Sequence, residues 1–421
     1  MLLNRTNIYL FLYSIAICLL VFGFLYSRAL LSIGTILFIF QGFIQGDVKE
    51  RFSNYKSDYL SIGISCLFLL PFISGLWSSH KEQWAALMQD KLPLLLLPFA
   101  FIQLKGIELK QLVWFKLFWI LAMFTGSLWS IIRYLLDWRY FNEAYRFSQT
   151  IPTPAGNDHI RFSMAIVIAL LFWLKLEEWK LSYSKWFITF IRAVALWFVV
   201  YLHILGAKTG LLGFYLVVFP LVLFQLYQVG KQQLLGIIAV VGLCLPLLAY
   251  TLLPTFRMRI QYVLFESQNW TSQEFAGRFS DGNRWASIQS GWHVFQQNWL
   301  IGAGYGDIKT EAAVWYNNHA PAIVATERFL PLNQWMFSGS GAGIAAVLLF
   351  TFVALLPFFL KQWKQQKQAM GFVFFMNLVF LYESTIDDQF GVFLYSFFIL
   401  YWRYTINREK IQQTKCSQFP L

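Results

Sequence analysis

Apolar stretches of about twenty residues recur along nearly the whole chain, separated by short polar connections. An α-helix needs a run of that length to cross the hydrocarbon core of a bilayer. Twelve spans are predicted: 8–26, 29–45, 59–77, 84–104, 110–136, 162–176, 186–205, 210–229, 233–253, 336–360, 371–386 and 390–406. The second, fourth, sixth and eleventh are the weakest. Pro93 and Pro98 in "KLPLLLLPFAF" predict a kink or a partly interfacial position for the fourth. The pattern reads as an all-α, polytopic integral membrane protein.

One segment breaks the pattern. Residues 254–335 form the only long hydrophilic stretch, and a connection of that length usually has a role of its own. Within it, "GRFSDGNRWASIQSGWHVFQQNWLIGAGYGDIK" (277–309) predicts a helix starting near Asp281 or Asn283, with Asp281 as N-cap. Trp285, Ile288, Trp292 and Phe295 make its apolar face. Gly302, Gly304 and Gly306 follow no strand and fit no βαβ unit, so they read as a tight turn and not as a dinucleotide loop. His293, on a partly apolar helix, reads as packed. Arg278 and Arg284 flank the helix start, where free N–H groups and the helix dipole favour an anion.

Lysine placement orients the spans. An even number of spans puts both termini on one side. Lys49, Lys56, Lys110, Lys185, Lys231, Lys361 and Lys410 fall there with most of the other lysines, which makes that side cytoplasmic. The opposite side carries arginine instead: Arg139, Arg146, Arg161, Arg257, Arg259, Arg278, Arg284 and Arg328. The guanidinium is a planar fork suited to phosphate oxygens, although at a helix end it also snorkels to lipid headgroups. The first helix reads as a retained anchor, since no small-residue cleavage motif follows it. The expected location is therefore a bacterial inner membrane, with 254–335 outside the cytoplasm.

Composition narrows the ligand. Of the 421 residues only 13% are charged, about half the usual share in soluble domains, and the net charge is +12. The basic residues are scattered over short connections, which favours anionic lipid or an anionic lipid-linked substrate over nucleic acid. Cys18, Cys66, Cys244 and Cys416 show no metal or disulfide spacing.

The 277–309 stretch resembles the core of the O-antigen ligase and polymerase family: an Arg, a Trp shortly after it, an apolar helix, then Asn or Pro before a Leu–Ile–Gly–x–Gly turn. "GAKTGLLGFYLVVF" (206–219) is similar to the family's Ser–Arg–x–Gly helix start, with Lys208 in the Arg position. "NDHIRFSMAIVIALL" (157–171) and "YESTIDDQFGVFLYSFF" (382–398) resemble segments of one branch of the family. On this basis the chain divides into N-terminal helices (1–205), a ligase-related core (206–360) and C-terminal helices with a short tail (361–421). The resemblance implies metal- and cofactor-independent transfer of a glycan from a polyprenyl-diphosphate-linked donor to a lipid or glycan acceptor, at the outer face of the inner membrane. It implies catalytic roles for Arg284, Arg278 and Lys208, which would stabilise the leaving diphosphate. Arg161, His159, Glu327, Arg328, Asn333 and Glu383 join them as substrate-binding candidates.

One position departs from the family. Where ligases carry a His before an Asn, this chain has Leu332 before Asn333, with Gly343 at the expected distance. Leucine cannot take a proton. The open candidates for a base are His319, His159, Asp158, Glu327, Glu383, Asp387 and Asp388; the other option is that no strong base is required, as would suit a polymerase. Two rival readings stand beside the enzyme. A transporter or flippase for lipid-linked glycan would show repeats and broken helices. An inactive family member would bind glycan lipid without turnover.

Overall fold

The computed structural model describes residues 5–45, 47–102, 104, 107–147, 149–179, 183–269 and 280–418. The fold is all-helical, with 85% helix and no strand among the described residues. In a bilayer every backbone N–H and C=O needs an internal partner, and a helix supplies it within one segment. In chain order the main helices are α1 (Arg5–Tyr26), α2 (Arg28–Ile44), α3 (Val48–Lys56), α4 (Tyr59–Ser74), α5 (Lys81–Ile102), α6 (Leu109–Leu136), α7 (His159–Trp179) and α8 (Lys185–Leu205). They continue as α9 (Lys208–Gln228), α10 (Gln232–Leu252), α11 (Pro254–Asn269), α12 (Ser280–Gln297), α13 (Ile308–His319), α14 (Gln334–Phe359), α15 (Lys367–Phe380) and α16 (Gln389–Gln418).

Among the described residues, eight helices are long and apolar enough to cross a membrane: α1, α5, α6, α7, α8, α9, α10 and α14. Three of the other four expected spans coincide with shorter helices, α2 (17 residues), α4 (16 residues) and α15 (14 residues). The fourth lies within the 30-residue α16. Helix α5 runs as one 22-residue element through both prolines and is long and apolar enough to be a candidate span.

Helix α7 is the hub, with 83% of its apolar window buried, against 11% for the peripheral α10. Around α7 the core is aromatic. Phe172 packs edge-on against Phe115 at 5.9 Å, and Trp119 meets Phe398 at 4.7 Å. Such tilted contacts suit the quadrupoles of the rings.

Helix α14 is not straight. A straight helix would place residues sixteen apart about 24 Å from each other. Yet Trp335 Nε1 donates to Thr351 Oγ1 at 2.9 Å, and the Trp335 ring lies 5.1 Å from that of Phe350. The helix folds back on itself at Ala342 (φ −140°) and Gly343 (φ +69°). The expected single span over 336–360 is thus a bent pair of helices.

The expected long loop is largely helical, comprising α11, α12, α13 and the start of α14. The glycine-rich stretch after α12 is a tight turn, and its partner is the bend in α14. Ala303 N donates to Ser340 O at 2.8 Å, Gly304 N to Gly341 O at 3.0 Å, and Ile344 N to Trp299 O at 2.8 Å. Gly302 (φ +74°) has no room for a Cβ, which would lie 2.4 Å from Ala342 N; at Gly343 it would lie 2.3 Å from Leu300 O. Asp307 pins the far end of the turn to the α4–α5 connection by accepting from Ser79 N (2.6 Å) and His80 N (3.0 Å) and by pairing with the His80 ring.

Helix α12 buries a different face from its most apolar one. Asn283, Ala286, Ser287, Ser290, Gly291 and Val294 point inward, while Trp285 and Trp292 stay about half exposed. Small side chains let backbones approach closely: a Cβ on Gly291 would fall 2.5 Å from Pro331.

Candidate functional site

A cavity of about 250 Å³ opens where the first residues of α7, α9 and α12 meet the break between α15 and α16. Its walls include His159, Lys208, Arg259, Asp281, Arg284 and Glu383. Local sequence explains the convergence. Helix α8 ends at Gly206 in a left-handed cap, and Lys208 starts the next helix two residues later. Gly210 then lets α9 close on α7, since a Cβ there would sit 2.7 Å from that of Ser163. Just inward of Lys208, Phe214–Val218 forms a π-helical turn, a feature frequent at functional sites.

Two of the cations expected to be catalytic line the cavity, and each faces an acid. Lys208 Nζ pairs with Asp281, and Arg284 Nη1 pairs with Glu383 Oε1. The Lys208–Asp281 pair is open to solvent, with side chains 40% and 31% exposed, so it adds about 0–1 kcal/mol to stability and yields readily to a competing anion. Arg259 is buried against the Tyr262 ring at 5.6 Å.

The N-terminus of α12 already holds an anion. Glu266 of α11 accepts from Asp281 N at 2.6 Å and from Gly282 N at 3.0 Å. Burial raises the Glu266 carboxyl above its ordinary range, the nearby Asp281 charge adds to this, and the two N–H donors oppose it. The free N–H groups expected to receive a ligand are thus partly taken by the protein itself. Asp281, expected as N-cap, lies instead in the first turn and serves Lys208.

Arg161 stands behind the cavity wall and faces four carboxylates: Asp388 at 2.8 Å, Glu383 at 3.5 Å, Asp158 at 3.8 Å and Asp387 at 4.0 Å. It is buried, so its donors serve the protein rather than a ligand. Burial and the adjacent Asp388 push the Asp387 carboxyl up to about 6, against the pull of Arg161.

The structure therefore brings together Lys208, Arg284, His159 and Glu383, with Arg161 behind them. It places the other candidates elsewhere. His319, expected as a catalytic base, stacks on Trp315 (centroids 5.2 Å apart, 12° between planes) and lies 5.8 Å from the His293 ring. Neither histidine lines the cavity. Arg328 ties the outer segment together, donating to Asn317 Oδ1 at 2.7 Å and Ile323 O at 2.9 Å. Glu327 accepts from Asn283 Nδ2 at 3.5 Å. Asn333 caps α14, its Oδ1 accepting from Met336 N at 3.0 Å, while its Nδ2 donates to Leu381 O at 2.8 Å. Arg278 lies outside the described residues. Sequence reasoning missed Glu266, Asp281 as the partner of Lys208, and Arg259 as a cavity residue. Only the last had a signal, its place among the outer arginines.

The chain matches no family model and no curated protein.

Proposed function

We propose that the protein is a membrane glycosyltransferase of the O-antigen ligase or polymerase type, acting on a polyprenyl-diphosphate-linked glycan at the outer face of a bacterial inner membrane. The observation that carries this reading is the convergence on one cavity of Lys208, at the start of the membrane-length α9, with Arg259 of α11 and Arg284 of α12. In this reading twelve segments cross the membrane, both termini are cytoplasmic, and 254–335 lies outside.

The chemistry follows from the ion pairs. A diphosphate entering the cavity competes with Asp281 for Lys208 and with Glu383 for Arg284. Transfer breaks the bond between the anomeric carbon and the diphosphate oxygen, whose electron pair goes to the leaving group, and forms a bond from that carbon to the acceptor hydroxyl oxygen. Fixed cations stabilise the charge that develops on the leaving group. The hydroxyl proton passes to water or to a cavity base, for which His159 and Glu383 stand at the wall.

The broken helices favour a second reading. The fold-back of α14 and the gap between α15 and α16 are what a transporter of the same lipid-linked glycan would use. One assay separates the two. Purified protein in proteoliposomes is given polyprenyl-diphosphate glycan from the source cell. Release of free polyprenyl diphosphate with growth of the acceptor, lost in Arg284→Lys, supports transfer. Movement of intact donor across the bilayer without its consumption overturns transfer in favour of transport.

A further inference from the structure

The outer side of α12 repeats a spacing that the transfer reading leaves unused. Trp285, Gln289, Trp292, Gln296 and Trp299 follow the pattern Trp–x3–Gln–x2–Trp–x3–Gln–x2–Trp. Seven residues make nearly two helical turns, so Trp285, Gln289, Trp292 and Gln296 share one stripe, with Trp299 in the turn that follows. The three tryptophans are 51%, 48% and 57% exposed, and both glutamines are exposed. The helix buries its small residues and leaves its largest rings uncovered, which marks an interaction surface.

The chemistry of the stripe selects the occupant. Flat indole faces alternating with amides match a sugar chain, whose rings offer C–H faces to stack on aromatics and hydroxyls to bond amides. Exposed rings also occur on the membrane-length helices, as Trp114 and Trp129 of α6 and Phe352 of α14, while the exposed positions Ile237, Val240, Leu243 and Leu247 of the peripheral α10 are aliphatic; what sets the α12 stripe apart is the exposed amide between successive rings. The stripe also adjoins the cavity. Arg284 and Ile288 line the cavity and precede Trp285 and Gln289 by one residue each, about 100° around the same helix. Trp285 and Trp292 lie about 10.5 Å apart along the axis, on the scale of a disaccharide.

We propose that the Trp285–Trp292–Trp299 stripe binds the saccharide chain that extends outward from the cavity. The inference rests on the reading that this protein handles a glycan, and it goes further by naming the surface that holds the chain beyond the reacting sugar.

The test uses the full-length protein in phosphatidylcholine nanodiscs. The probe is surface polysaccharide of the source cell, released from its lipid by mild acid, so binding requires neither diphosphate nor turnover. Wild type binds, the Trp292→Ala/Trp299→Ala pair binds roughly tenfold or more weakly, the Trp292→Tyr/Trp299→Tyr pair retains binding, and the Trp292→Leu/Trp299→Leu pair does not. Leucine keeps a lipid contact but offers no flat ring. Leucine variants that bind as well as tyrosine variants overturn the proposal. So does quenching of Trp292 and Trp299 fluorescence by brominated lipid, which would place the stripe in the membrane. If polysaccharide binds while no donor is consumed, the stripe assignment stands and the transfer reading fails. If donor is consumed with no polysaccharide binding, the stripe assignment alone fails.

Discussion

The two arginines that share Glu383 should respond differently to removal. Arg161 is buried among four carboxylates, and Glu383 itself is 2% exposed. Replacing Arg161 by Met leaves Asp387 with the Ser384 hydroxyl at 2.7 Å and Asp388 with Gly391 N at 2.6 Å, neither donor carrying a full charge, and Lys91 as the remaining cation acting on Asp387. Removing one partner of a buried ion pair costs about 3–5 kcal/mol, or roughly a hundred- to several-thousand-fold in the ratio of folded to unfolded protein. Arg284 has a side chain 27% exposed, and its loss leaves Glu383 with Arg161, so Arg284→Met should cost about 1–2 kcal/mol. Unfolding in mixed micelles with increasing dodecyl sulfate measures both. A pH signature goes with it. Asp387 titrates near 6 when folded, above the ordinary 3.8, so the folded state binds more protons in that window and stability falls as pH rises through it. Without Arg161 the folded value moves higher still, and the window widens upward. The deficit of Arg161→Met should therefore be smaller at pH 5 than at pH 8. Equal stability of Arg161→Met and wild type, or a deficit that grows toward acid, would refute the assignment of Arg161 as the structural centre of this network.

Three further outcomes follow from the geometry. Gly302→Val forces a side chain into the contact with Ala342 at positive φ and should cost about 2–4 kcal/mol, read as a lower melting temperature and easier proteolysis between α12 and α13; an unchanged melting temperature would mean that the turn does not dock on α14. For Asp307, burial pushes the carboxyl up, but the His80 ring and the N–H groups of Ser79 and His80 outweigh it and hold the value below 3.8. Its stabilisation is fully present above 3.8 and is lost as pH falls through the lower folded value, so the gap in melting temperature between wild type and Asp307→Asn should close toward acid, and a gap that persists there would show that the carboxylate charge does not fasten the turn. Cysteine introduced at Asn318 should react with an impermeant thiol reagent added to intact cells whose outer membrane is permeabilised, and reaction only after lysis would reverse the proposed orientation.

The apolar runs alone determined that the chain is helical and of membrane character, because the cost of an unpaired backbone group in lipid is settled by length and hydrophobicity within one segment. Glycine spacing showed a tight turn at Gly302–Gly306, and the positions of Lys208 and Arg284 near helix starts were legible from local sequence. Tertiary structure decided the rest. "SGSGAGIAAVLLF" (338–350) carries no charge, and its hydropathy reads as part of one span whether it runs straight or folds back at Gly343; the reversal is set by the backbone bonds from Ala303, Gly304 and Ile344. In α12 the most apolar face was expected from periodicity, yet the small-residue face went inward, because close backbone approach outweighed side-chain hydrophobicity there. Which acid answers which base was likewise invisible: Glu383 is 222 residues from Arg161 and 99 from Arg284. Charge pairing over such separations depends on where helix ends meet in space, and periodicity along the chain carries no information about that.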